Sequence, residues 1–456
     1  MSLSCNVLFI TLDQLRGDAL SCAGHPVVRT PTLDAIAAGG VRFARHYAQA
    51  APCAPGRASL YTGQYQMNHR VVANGTPLDH RFDNLARAAR RAGYVPTLFG
   101  YTDQGVDPRT VAADDPWLRT YEGVLPGFEV GLHLPGPAEA WVAHLRDLGH
   151  DVADADHALA TEPERPASLS QYAFLTDAVL TWLGNQEGPW FAHVSYLRPH
   201  PPYAAAGHWA HRYDPESCGD PLPVPDHRTG LLDALRTRRS LAAPTDPAAM
   251  RSLRAHYFGM VSEVDDQLGD QGLVQKAGWF ESSYHIACLV RAPGRLGAGT
   301  VVDAFTEAVD VLPTVCDLLG LPVPVQCDGR PLTPFLDGSP PADWRDAAHW
   351  EWDFRDRPAG TDGATGSAIP PPWDRAAERQ HLAVWRSRER AYVQFGNGAW
   401  LAYDLARDPS WCSAVDDLDA VLADAQAMLV WRATHRDRTL SGALLTPDGL
   451  IGAVGR

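Results

Sequence analysis

Three short stretches of this 456-residue sequence hold side chains that could act together. Asp13-Gln14 ends the apolar run Val7-Leu8-Phe9-Ile10-Thr11-Leu12 and sets two hard oxygen donors side by side. That pair suits a divalent cation better than a turn, although an aspartate at a strand end is often only a cap. Pro52-Cys53-Ala54-Pro55-Gly56-Arg57 brings a thiol and a guanidinium close in sequence. Most lone cysteines are small buried hydrophobes, so this pair alone decides nothing. Tyr196-Leu197-Arg198-Pro199-His200-Pro201-Pro202 holds a histidine between prolines. A rigidly held histidine suits proton donation to a leaving oxygen, although a lone histidine is more often structural.

The elements that must position these groups alternate along the chain. Val7–Leu12 reads as a strand buried on both faces, as in a parallel sheet. Thr30-Pro31 predicts a helix N-cap, Leu33, Ile36 and Ala37 give that helix an apolar face, and Gly39-Gly40 stops it. Val41-Arg42-Phe43 is a strand candidate. A helix over Leu85–Arg91 and a strand over Val95–Phe99 follow. Phe174 to Leu183 has helical spacing, and Trp190–Leu197 reads as a strand. Met250 to Leu268 marks a long amphipathic helix, Ile286–Val290 a strand, and Val311–Leu319 a helix closed by Gly320. The alternation predicts an α/β fold with a mostly parallel sheet covered on both faces. Composition shifts after Pro331. Residues 356–374 read as a loop or insertion. His381–Val384, Ala391–Phe395 and Trp400–Tyr403 read as short antiparallel strands, with Ala420–Trp431 as a terminal helix. The division predicted is a catalytic domain over 1–335 and a smaller α+β subdomain over 336–456.

The net charge of −15, from 39 basic and 54 acidic residues, argues against nucleic-acid and anionic membrane partners. A small anionic substrate is still compatible, because local cations outweigh a distant field. The eight cysteines are scattered and form neither a disulfide framework nor a zinc spacing. Without a basic leader or a membrane-length apolar run, the expected location is cytoplasmic.

Pro52-Cys53-Ala54-Pro55-Gly56-Arg57-Ala58-Ser59-Leu60-Tyr61-Thr62-Gly63 resembles the sulfatase signature C-x-P-x-R followed by A-S-L-x-T-G. The chain resembles formylglycine-dependent sulfatases of the alkaline phosphatase superfamily, most of all their phosphonate monoester hydrolase and arylsulfatase branch. The resemblance implies an alkaline-phosphatase-like α/β/α sandwich. It implies that a formylglycine-generating enzyme oxidises Cys53 to formylglycine, whose hydrated form attacks a sulfate ester, phosphonate monoester or phosphodiester. Asp13, Gln14 and the modified Cys53 then match the metal ligands, with Ca²⁺ or Mn²⁺ as the expected ion. Arg57, His200 and Lys276 match catalytic positions, and Asn74, Tyr101 and Thr102 are substrate-contact candidates. Lys276 rests mainly on this match, since a lone lysine is usually solvated. Homo-oligomers in this family are often built through C-terminal segments, such as Trp400 to Trp431 here.

One part of the pattern is missing. Between the long helix and the lysine, the family carries a strand and a T-S-D-H-G-E-Q-x-G-D motif, whose Asp and His complete the metal site. Here Glu263-Val264-Asp265-Asp266-Gln267-Leu268-Gly269 runs straight into Asp270-Gln271-Gly272-Leu273, as an internal deletion at residues 269–270 would leave it. Asp265, Asp266 and Asp270 lie nearby on a different scaffold. The expectation is weak metal binding and little hydrolysis, with a catalytically inactive pseudoenzyme as the alternative. A hydrolase using unmodified Cys53 has no histidine-base pattern in its favour. Loops 103–172 and 203–247 carry no readable substrate motif.

Overall fold

The computed structural model describes residues 5–120, 122–225, 229–236, 241–264, 276, 278–295, 297–354, 381–436, 444–447 and 449–451. Its strands are β1 (Val7–Leu12), β2 (Val41–Tyr47), β3 (Ala50–Ala51), β4 (Pro96–Gly100), β5 (Glu129–His133), β6 (Phe191–Tyr196) and β7 (Leu289–Val290). They continue with β8 (Thr300–Glu307), β9 (Ala347–Asp353), β10 (His381–Ser387), β11 (Arg390–Phe395), β12 (Trp400–Asp404), β13 (Leu444–Thr446) and β14 (Gly449–Ile451). An all-parallel sheet runs β1-β6-β4-β5. A second sheet runs β7-β2-β8, with β8 parallel and β7 antiparallel to β2.

Helices cover both faces of the parallel sheet, because side chains alternate across each strand. Leu98 and Phe191 pack toward Ala58, Leu85, Ala89 and Leu312 on one face. Phe99 and Val194 pack toward Trp141, Leu145, Leu175 and Val179 on the other. The expected α/β/α layering is therefore present. The helices Pro31–Ala38, Leu85–Arg91, Gln171–Gly184, Pro247–Val264 and Val311–Leu318 lie where apolar spacing predicts them.

The C-terminal sheet, β12-β11-β10-β9-β3, is antiparallel except where β3 joins β9. β3 immediately precedes Pro52-Cys53, so the upstream half contributes a strand to this sheet. Trp279, Phe280 and Tyr284 share one core with Trp350, Val384 and Trp411. The 356–374 loop lies outside the described residues, as do Leu268 and the 269–270 junction.

Several expectations are corrected. Strand β1 is not buried on both faces: Leu8 is 49% and Ile10 45% exposed. Its only ladder partner among the described residues is β6, and just past its end Arg16 forms a single bridge with Ile286. Of Ile286–Val290, only Leu289–Val290 is a strand. Thr30 does not cap its helix through its side chain, because Oγ1 donates to Asp34 at 2.9 Å. The helix Leu418–Thr434 is not terminal, since the β13–β14 hairpin follows it.

Between β8 and β9, Arg345 bridges two wholly buried carboxylates. Nη2 lies 2.8 Å from Asp310 Oδ1, and Nε 3.5 Å from Glu307 Oε2. Tyr65 donates its hydroxyl to Glu307 at 2.6 Å, and the His349 N–H donates at 2.8 Å. Burial pushes Glu307 up, but Arg345 and His349 outweigh it and hold the carboxyl at about 2. Burial dominates at Asp310 and leaves it above its ordinary value. Arg345→Met strands both carboxylates and is expected to cost about 3–5 kcal/mol, read as a fall in the urea midpoint. Glu307 stabilises fully above its unfolded value of about 4.3, and that contribution is lost as pH falls toward 2. Glu307→Gln is therefore expected to flatten the acid limb of stability across that window.

Candidate active site

The signature segment folds as the helix Cys53–Thr62. Ala54 and Ala58 favour it, and Pro55 is tolerated in a first turn whose N–H groups have no helical partner. Steps of one helical turn line up Cys53, Arg57 and Tyr61 on one face. The cap comes from elsewhere, with Asn74 Oδ1 accepting the Ala54 N–H at 2.9 Å. Gly56 permits a close approach to β3, since a Cβ there would sit 2.9 Å from the Ala50 carbonyl oxygen.

Strand β1 delivers Asp13, which is buried. Its Oδ2 accepts from the Tyr101 hydroxyl at 2.8 Å and from Arg57 Nη2 at 3.3 Å. Its Oδ1 is paired with Lys276 Nζ and lies 3.9 Å from Cys53 Sγ. Lys276 Nζ is also 3.2 Å from that sulfur. Burial works to raise the Asp13 carboxyl, but Lys276 and Arg57 hold it well below the usual carboxylate range. Burial and then the Asp13 charge push the Cys53 thiol up to about 12, so unmodified residue 53 is not a thiolate at neutral pH. Burial opposes the Lys276 charge, but Asp13 raises its pKa above the ordinary lysine value.

Arg57 is almost fully committed to the protein. Nη1 donates to Ser195 Oγ at 2.9 Å and to Tyr61 OH at 3.2 Å, and Nε lies 3.3 Å from Asp103 Oδ2. Its guanidinium lies 4.4 Å from the centre of the Tyr101 ring. Tyr61 passes the chain of bonds on to His193 Nε2 at 2.9 Å. Arg57 thus braces the two aspartates from behind.

The other expected residues are less uniform. Gln14 adopts φ 70°, gives its carbonyl to Tyr257 OH at 2.8 Å, and keeps a buried Oε1 without a hydrogen-bond partner. Tyr101 touches Asp13, as above. Thr102 is wholly buried, and its hydroxyl donates to Gly123 O at 2.7 Å and accepts from Leu125 N–H at 2.9 Å. It ties β4 to the loop beyond. His200 interacts electrostatically with Asp13 and Lys276, and burial lowers its pKa. Its Nδ1 lies 2.9 Å from Pro201 O, so a proton exchanged with substrate passes through Nε2.

Sequence reasoning missed Asp103, Ser195, Tyr61 and His193. Asp103 has a visible signal, being an acidic residue just beyond the end of strand β4. Ser195 and His193 lie within a buried strand and carry no signal.

The donor set fits a hard cation. Ligand atoms of Asp13, Cys53 and Asp103 all lie within 4.8 Å of one another. Gln14, next to Asp13 in sequence, has a buried Oε1 without a hydrogen-bond partner and could add an amide oxygen. Two carboxylates and an amide meet the chemistry of Ca²⁺ or Mn²⁺, though fewer than its usual six or so ligands.

A parallel sheet whose first strand ends in aspartate beside a helix-borne Cys-x-Pro-x-Arg defines a class, and comparison identifies it. The family model described as Sulfatase matches residues 5–277, and that described as N-sulphoglucosamine sulphohydrolase, C-terminal, matches residues 269–359. The chain belongs to the sulfatase family, in the alkaline phosphatase superfamily. It is 33% identical to the multifunctional alkaline phosphatase superfamily protein PehA of Trinickia caryophylli, with 98% of each chain covered. Its fold superposes on phosphonate monoester hydrolase of Agrobacterium radiobacter with a TM-score of 0.87 and 38% identity, covering 98% of this chain and 99% of that one. For phosphonate monoester hydrolase SpPMH from Silicibacter pomeroyi the TM-score is 0.83 and the identity 31%, with the same coverage.

Proposed function

We propose that this chain is a hydrolase of phosphonate monoesters, with sulfate esters and phosphodiesters as related substrates, and that it works through formylglycine at residue 53. The observation that carries this is the placement of Cys53 at a helix start, with Asp13, Lys276 and Arg57 gathered around it. A formylglycine-generating enzyme is the maturation partner. A divalent cation held by Asp13, Gln14 and residue 53 would supply charge neutralisation and a more acidic hydroxyl. The hydrated aldehyde of residue 53 offers two hydroxyls. One forms a bond to phosphorus or sulfur as the ester oxygen leaves. The other then loses its proton, the carbonyl re-forms, and the bound anion departs. Lys276 and the helix N-terminus favour the anion at residue 53. His200 Nε2 exchanges the proton with the leaving oxygen. Asn74 orients the helix start that carries residue 53.

The reading includes weak turnover, because the Asp and His of the family's further motif have no counterpart here. Two observations bear on that part. The alignment with PehA runs over 512 residues, more than the 456 of this chain, so the relative carries positions that this chain lacks. Both Asp13 oxygens are also already engaged by side chains. That second observation favours the other reading, a pseudoenzyme in which Lys276 takes the place of a cation. Calorimetric titration with Ca²⁺ and Mn²⁺, together with assays on aryl phosphonate and aryl sulfate esters, separates the two. Weak binding with slow, metal-dependent turnover supports the hydrolase. No binding and no turnover in fully matured protein supports the pseudoenzyme. Tight stoichiometric binding with ordinary turnover refutes the impairment. The scattered cysteine spacing, which forms no disulfide framework, supports a reducing, cytoplasmic setting, which cell fractionation tests.

A further inference from the structure

Asp103 is a carboxylate that the family pattern does not account for. It lies beyond the end of β4, is 3% exposed, and adopts φ 53°. Burial of a carboxylate is costly unless something cationic meets it. Its ion pair is with Arg57 Nε at 3.3 Å. That guanidinium also serves Asp13 Oδ2, Ser195 and Tyr61, so it spreads one charge over two carboxylates. An oxygen of Asp103 lies within 4.8 Å of both a carboxylate oxygen of Asp13 and the sulfur of Cys53. A carboxylate offers about four lone-pair directions, and one arginine contact leaves most of them open to a cation. Gln14, the residue after Asp13 in the chain, has a buried Oε1 that accepts no hydrogen bond. A buried amide oxygen with no hydrogen bond, on the residue that follows Asp13, is an acceptor that a hard cation would satisfy.

We propose that Asp103 is a metal ligand of this chain, joining Asp13, Gln14 and residue 53 around a hard divalent ion such as Ca²⁺ or Mn²⁺. It stands in for part of the ligand set carried elsewhere on the family motif that is missing here. The inference rests on the metal-dependent reading of the site and deepens it. Gln104 supports the arrangement from outside: its amide donates to the Ala54 carbonyl at 3.1 Å and to the Thr102 carbonyl at 3.3 Å, tying the residues next to positions 53 and 103 together.

The test is Mn²⁺ binding by the full chain, measured by calorimetry and by the loss of the free-ion electron paramagnetic resonance signal. Wild type, Asp103→Asn and Asp13→Asn are compared, with thermal unfolding of each as a folding control. The expected result is binding of one ion by wild type, weakened about tenfold or more in Asp103→Asn and at least as much in Asp13→Asn. If Asp103→Asn binds as wild type does while Asp13→Asn does not, Asp103 is no ligand and the metal-dependent reading survives. If wild type binds no Mn²⁺, both fall. Should Asp103→Asn fail to fold, Mn²⁺-soaked crystals of wild type decide the matter by anomalous scattering. A peak in contact with the Asp103 carboxylate supports the proposal, and a peak on Asp13 without Asp103 overturns it.

Discussion

Inserting the family's Asp- and His-bearing strand between Gly269 and Asp270 is expected to raise aryl phosphonate hydrolysis by about 10³-fold. A well-held metal is worth several kcal/mol of transition-state charge stabilisation, and each 1.36 kcal/mol or so is tenfold in rate. β1 pairs on one side with β6, and no strand pairs with its other edge among the described residues. Leu8 and Ile10 on that strand are about half exposed, an unusual state for the first strand of an α/β sheet. Among the described residues, β1-β6-β4-β5 and β7-β2-β8 are separate sheets. An inserted strand is expected to join the two sheets and protect the β1 amides from hydrogen exchange. Unchanged turnover and unchanged Mn²⁺ affinity in a folded insertion variant would contradict the impairment claimed for this chain.

In that restored chain, Cys53→Ala is expected to lower turnover by about 10⁴-fold or more, as removal of a covalent nucleophile does elsewhere. Unmodified cysteine is no substitute, since burial and Asp13 keep the thiol protonated at neutral pH. Cys53→Ser separates the two hydroxyl roles. A serine oxygen can attack, but serine has no second hydroxyl whose deprotonation re-forms a carbonyl. The expected product is an enzyme carrying one esterified anion, seen as a mass adduct at residue 53. Steady turnover by Cys53→Ala would show that another group attacks.

Much of this was legible before any coordinates. Helical spacing located Leu85–Arg91 and Gln171–Gly184, because the apolar positions that set the period also build the core on each face of the sheet. Cys53, Arg57 and Asp13 converge, which one helical turn and one strand end suffice to explain, and Lys276, to which mainly the family match pointed, joins them. Strands β5, β8 and β9 went unread. β9 is buried along its whole length and alternates Ala, His, Trp, Glu and Asp, so it lacks the apolar run that marks a buried strand. Thr102 follows Tyr101 at a strand end, where successive side chains point to opposite sides, so it bonds to Gly123 and Leu125 while Tyr101 reaches Asp13. Leu8 and Ile10 were read as buried because a continuous apolar run implies two covered faces. Among the described residues, no strand pairs with the other edge of that run.

The most direct measurement is peptide mass spectrometry of residue 53 in protein made together with a formylglycine-generating enzyme, in parallel with turnover on an aryl phosphonate ester. The aldehyde mass, capture by a hydrazide, and a rate that rises with the fraction converted are the predicted results. A preparation that turns over substrate while residue 53 is entirely thiol would contradict the account.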